Sequence, residues 1–116
     1  MKRKNTNRMV CNYDAVNDLL YVYKKDTKVD HNESIGDIYL DISKTGEVIG
    51  IEILNASDIL KEFGIQQKML EHLTGAELKV VKNANAFLVV LTLHSENNEK
   101  SAMIALSPTA QAIHAV

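Results

Sequence analysis

The chain has 116 residues, 46% of them hydrophobic but only 5% aromatic, and a formal net charge of −2. That length suits one domain with an aliphatic core of its own, and a single cysteine excludes an internal disulfide and a cysteine-based zinc cage. No charged-then-apolar leader opens the sequence and no apolar run approaches the ~20 residues a membrane helix needs, so a soluble, cytoplasmic protein with no membrane partner is expected.

Charge is unevenly placed. Residues 1–8, MKRKNTNR, hold four of the 13 basic residues and no acid, leaving nine basic against 15 acidic residues in the remainder. This predicts a basic flexible tail ahead of a single domain over 9–116. Such an arm could touch phosphate or an acidic partner, but an acidic body repels a phosphate backbone and argues against nucleic-acid binding.

MVCNY at 9–13 alternates weakly, and LLYVYKK at 19–25 opposes Leu20 and Val22 to Tyr21 and Tyr23, so both predict strands. Between them DAVND carries two carboxylates and an amide, which are hard oxygen ligands. Its spacing lacks the alternating ligands and central glycine of a calcium loop. Asp14 and Asp18 are better read as turn residues that accept backbone N–H bonds. The polar DTKVDHNES at 26–34 predicts a loop.

IGDIYLDIS and EVIGIEIL then alternate strictly, placing Ile38, Leu40 and Ile42 on one face and Ile49, Ile51 and Ile53 on another. Both triplets must reach the same core. A two-residue loop at Thr45–Gly46 satisfies that parity by pairing Ile42 with Ile49, Leu40 with Ile51 and Ile38 with Ile53, with Lys44 facing Glu47. A three-residue loop would put one triplet in water unless a bulge compensates. Gly46 supplies the positive φ of a tight hairpin.

Beyond Leu54 the period changes. NASDILKEFG predicts a helix with Ser57 as N-cap and Gly64 as stop, and Ile65–Leu73 predicts a second helical stretch ended by Gly75. The last third returns to strands over 76–107. Phe87 to Leu93 is apolar on both faces, which predicts a central strand covered on two sides. Pro108 ends the final strand, and PTAQAIHAV predicts a short helical tail. The fold class is therefore α+β: antiparallel meanders with about seven strands, and one or two short helices between the N-terminal four and the C-terminal three.

On the inferred register Tyr39 faces Glu52 on the side away from the isoleucines, with Asp41 beside Gly50. Tyr21 and Tyr23 join them if the first hairpin continues the sheet. Tyr21, Tyr23, Tyr39, Asp41 and Glu52 form the candidate binding face, able to hold a cation or a basic peptide segment. A carboxylate beside a phenol could also serve acid–base chemistry, against which stands an ordinary solvated or dimer-facing sheet surface. Asp14, Asp18, Gly46 and Gly50 are read as structural turn residues. The four histidines lack metal-ligand spacing, Cys11 reads as a small core hydrophobe, and phosphate loops and nucleophile elbows are missing. No catalytic residue, metal or cofactor is assigned, and the balance leans away from an enzyme.

Tyr13-Asp14, Asp18-x-Leu20-Tyr21-Val22, Gly46 and the run GIEILNAS at 50–57 resemble the domain of unknown function 2283, with its pattern YDxxxDxLY followed by GIEILxAS, over about residues 9–60. The resemblance implies a small β-meander leading into a helix, in a family of small prokaryotic proteins with no established activity, some of which look like partners of small toxin-like proteins. The meander at 76–107 lies outside the shared motif. The resulting expectation is a non-catalytic homodimer or partner-binding module. Its rivals are a small ligand-binding protein or enzyme using the Tyr39/Asp41/Glu52 face, and an antitoxin-like protein.

Overall fold

The computed structural model describes residues 9–107 and the strand Ala112–Ala115. Five strands, β1 (Met9–Asp14), β2 (Leu19–Lys24), β3 (His31–Ile35), β4 (Ile38–Ile42) and β5 (Val48–Leu54), form an antiparallel sheet of order β1-β2-β5-β4-β3. A helical passage follows: α1 (Ala56–Leu60), a 3-10 turn (Lys61–Phe63) and α2 (Gln67–Leu70). The second antiparallel sheet runs β6 (Leu73–Asn83), β7 (Ala86–Ser95), β8 (Asn98–Ser107) and β9 (Ala112–Ala115) in sequential order. The arrangement is mostly antiparallel strand with two short helices between the sheets. The basic stretch 1–8 and the Pro108 stop lie outside the described residues.

Sheets of five and four strands exceed the expected seven in two places. The stretch 26–34 is not all loop, because His31–Ile35 forms an edge strand against β4. Its first four side chains are exposed and only Ile35 is buried, so apolar alternation cannot announce it. Gly36 and Asp37 make a two-residue turn in which Gly36 alone has positive φ (61°), the type II′ signature, so IGDIYLDIS is a turn plus a strand. The expected helical tail is also corrected, since Ala112–Ala115 pairs antiparallel with β8.

The two inner faces and the helical passage share one core. Leu20, Val22, Leu40, Ile51 and Ile53 come from the first sheet, and Val89, Leu91, Leu93, Ile104 and Leu106 from the second. Leu60, Ile65 and Leu70 come from the connection. All are essentially inaccessible to water, and each large aliphatic side chain so buried contributes roughly 1.5–3 kcal/mol against exposure.

The β4–β5 hairpin solves the parity problem differently from the two-residue loop. Ser43 lies opposite Glu47 across Lys44, Thr45 and Gly46, with Gly46 N–H donating to the Ser43 carbonyl (2.9 Å) and Gly46 at φ 92°. Ile42 pairs with Val48 rather than Ile49, and the register shifts between Asp41 and Ile42 so that Asp41 pairs with Gly50. Ile49 is thus the extra residue of a bulge, which returns Leu40 to Ile51 and Ile38 to Ile53. Glu47 meets Lys24 (3.1 Å), not Lys44.

Three further expectations change. Ser57 is not the N-cap; Asn55 occupies that position at φ 54° with no side-chain cap bond. The second helix is only Gln67–Leu70, and Leu73 and Gly75 belong to β6, with a register irregularity between them. β7 does lie inside its sheet, but its odd residues alone are buried. Leu88 and Val90 face outward beside Met103 and Val81, which are 41% and 50% exposed, so among the described residues one side of this strand is only half-buried rather than covered as expected.

Candidate functional site

Strand pairing sets two rows across the outer face of the first sheet. One runs Asn12–Tyr21–Glu52–Tyr39–Ser34 and the other Val10–Tyr23–Gly50–Asp41–Asn32. Tyr21, Tyr23, Tyr39, Asp41 and Glu52 therefore share a surface, opposite the core-facing leucines and isoleucines. Among these ten positions there are two carboxylates, three phenols and no basic side chain.

Asp41 organises the second row. It is only 7% exposed, and both oxygens are occupied. Tyr21 Oη donates to Oδ2 (2.7 Å) and Asn32 Nδ2 donates to Oδ1 (2.5 Å). A buried carboxylate is tolerated when it accepts such bonds. Burial, followed by the bond to Asp41 and the nearby Asp41 and Glu52 charges, pushes the Tyr21 phenol up to about 12. The Tyr21 ring also stacks on Tyr23, with centroids 4.8 Å apart and planes inclined by 29°.

Gly50 is not a turn residue. It lies mid-strand under the Asp41 carboxylate, where a Cβ would stand 2.8 Å from Asp41 Oδ2 and 3.2 Å from Tyr23 Cβ. Glu52, in the other row, is partly buried between the cross-strand neighbours Tyr21 and Tyr39. Among the described residues no side chain donates to its carboxylate.

The DAVND corner does separate work. Asp14 Oδ1 accepts the N–H groups of Val16 (3.0 Å) and Asn17 (3.1 Å), and Oδ2 accepts Asn17 Nδ2 (2.8 Å). These bonds, the Asn17 amide first, hold the Asp14 carboxyl below its usual range. Asp18, at φ 53°, accepts from Tyr13 Oη (2.6 Å), from Ser57 N–H (3.0 Å) and from Ser57 Oγ (2.8 Å). Its carbonyl accepts the Ala56 N–H. Burial disfavours the Asp18 charge, but the bonds from Tyr13 and Ser57 outweigh it and keep the carboxyl low. Asp18 thus supplies from the first hairpin the cap that α1 lacks locally. Both carboxylates already have donors, which leaves the loop no evident cation seat.

Residues 11–57 match the protein family of unknown function DUF2283. The match covers most of the five-stranded sheet and ends at Ser57, the residue Asp18 holds. An uncharacterized protein of Methanocaldococcus jannaschii is 47% identical over 47 residues, 40% of this chain and 40% of the relative, so the chain matches well under half of that protein's length. No solved structure matches. The DUF2283 motif has a physical reading here. Tyr13, Asp18 and Ser57 form the network that ties hairpin to helix, while Gly50, Glu52 and Tyr21 belong to the outer face.

Two features escaped sequence reasoning. Asn32 completes the Asp41 network from the unrecognised strand β3, and the available signal was the II′ turn at Gly36–Asp37. His94 lies between Glu77 (3.5 Å) and Glu99 (3.7 Å), residues that only the β6–β7–β8 register brings together. Elsewhere, Cys11 is partly buried and burial raises its thiol pKa, an unreactive setting. Among the described residues no group of three or more His, Cys, Asp or Glu side chains is placed to hold a metal ion, and no helix is long and apolar enough to cross a membrane.

Proposed function

We propose that this is a cytoplasmic, non-catalytic module that pairs with a second copy of itself through the outer face of the second sheet. The observation carrying this reading is the open apolar centre of that face, where Val90 lies beside Met103 and Leu88 between Val81 and Ala105. Glu77, Lys79, Thr92, His94, Ser101 and Glu99 border it. An apolar centre with a polar rim is the anatomy of an interface. The strands β6, β7 and β8, of eleven, ten and ten residues, present a surface of roughly 33 by 14 Å. A second copy suits it because a two-fold interface needs only one such patch per chain.

A non-catalytic role is supported by the state of the best acid–base candidates. Asp41 has both oxygens engaged, and Tyr21 spends its proton on Asp41 and stays neutral, so it offers no phenolate base at neutral pH. Light scattering coupled to size exclusion tests the reading. A dimer mass is expected for the native chain, and a folded monomer for the Val90→Lys/Met103→Glu double variant. A native chain that stays strictly monomeric at high concentration overturns the proposal.

A further inference from the structure

We propose that the outer face of the first sheet is a second, independent binding surface, and that it receives an arginine-bearing basic segment of a partner protein. The recognition element is Glu52 between Tyr21 and Tyr39. Directly opposed residues on adjacent strands have Cβ atoms ~5 Å apart, so Glu52 stands in register between two tyrosines, one on each neighbouring strand. A guanidinium placed there meets the Glu52 carboxylate beside the exposed part of Tyr39, while Tyr21 is held by Asp41 and stacked on Tyr23, an arrangement that suits its planar, weakly hydrated charge better than a compact ammonium.

Three observations favour this occupant. The ten face positions carry no basic side chain, so no cation of the described face competes for Glu52. The surface is also fixed before a partner arrives: Asp41 is buried and doubly hydrogen-bonded, and it anchors Tyr21, which stacks on Tyr23. A pre-ordered face loses little side-chain freedom on binding. Tyr39, finally, is 37% exposed, which leaves ring surface for a partner to cover. An ordinary cross-strand Tyr–Glu pair would explain one tyrosine beside Glu52, but it gives no reason for tyrosines on both neighbouring strands and no basic side chain among the ten described positions. An open sheet face suits an extended segment better than an isolated small cation.

The test is a titration of isotope-labelled protein with the capped peptide Arg-Gly-Arg-Gly-Arg, followed by amide shifts. The matching citrulline peptide, which keeps the shape but loses the charge, is the control. Shifts are expected on β2, β4 and β5 with the arginine peptide alone, weakening as salt rises. Glu52→Gln is expected to weaken binding at least tenfold and Tyr39→Leu several-fold, with unchanged thermal melts showing that both variants remain folded. The Val90→Lys/Met103→Glu variant should bind the peptide normally, which separates this surface from the dimer face. Equal binding by Glu52→Gln, equal binding of the citrulline peptide, or shifts confined to the second sheet would overturn the proposal. So would a response to Ca²⁺ or Mg²⁺ without one to the arginine peptide.

Discussion

Asp41 is the residue on which the outer face of the first sheet depends, and its position is set by what lies beneath it. Gly50→Ala would put a methyl 2.8 Å from Asp41 Oδ2, closer than real Cβ contacts. The carboxylate would have to leave Tyr21 and Asn32, at an expected cost of about 1–3 kcal/mol in denaturant unfolding. Tyr21 reports the same network through its titration. Its folded pKa of about 12 lies above the ~10 of a free phenol, so the neutral form is favoured by folding. The corresponding stability is complete below about pH 10 and is lost as pH rises through about 12. Tyrosinate absorbance should therefore show two late-titrating phenols, Tyr13 and Tyr21, of which Tyr21 alone moves toward ~10 in Asp41→Asn, which removes the carboxylate charge. A Tyr21 titration indifferent to Asp41→Asn would mean that burial alone holds the phenol up. Little of this was visible in the sequence. The alternation placed Asp41 beside Gly50, but nothing in one dimension says that the carboxylate folds down over the glycine.

At the scale of elements, the first hairpin and α1 behave as one unit. The helix has five residues, too few to be stable alone, and its N-terminus lacks a local side-chain cap. Asp18, 39 positions from Ser57, supplies that cap. Asp18→Ala removes bonds to Tyr13 and Ser57 together and should destabilise the protein by about 2 kcal/mol. Amide exchange at Ser57 and Ala56 should accelerate ahead of that in β5. Because the Asp18 carboxyl is held low, the stability it confers is present above the unfolded pKa of ~3.9 and fades as pH falls through the lower folded value. The variant should thus lose its deficit relative to the native chain in acid; a deficit constant down to low pH would exclude the carboxylate as the source. Sequence reading reached both ends of this contact separately, as a turn aspartate and a helix-start serine. It left them unjoined, because N-cap rules look only at neighbours in the chain.

At the scale of the whole molecule, legibility followed burial. Strands with a dry face, such as Leu40 against Ile51, were readable with the correct pairing, because parity leaves few registers when both faces must meet one core. The rest was illegible for stated reasons. β3 hides because four of its five side chains are exposed, and the Ile49 bulge hides because two-residue and bulged three-residue loops give the same inward pattern. The face of β7 that looked doubly covered is decisive at this scale, since Leu88 and Val90 have apolar neighbours in the sheet and are only half-buried among the described residues. If a second copy covers that face, folding and association are linked and stability depends on protein concentration. Each tenfold rise in concentration should then stabilise the protomer by ~0.7 kcal/mol, half of the tenfold term for a pairwise equilibrium. The melting temperature should climb by a few degrees with each such step. The Val90→Lys/Met103→Glu variant should melt at one temperature throughout, because it keeps the inner core and loses only the partner. Identical concentration dependence in the two proteins would place the dimer contact elsewhere, and a flat native profile across the range would leave the apolar face as surface that this chain does not bury against itself.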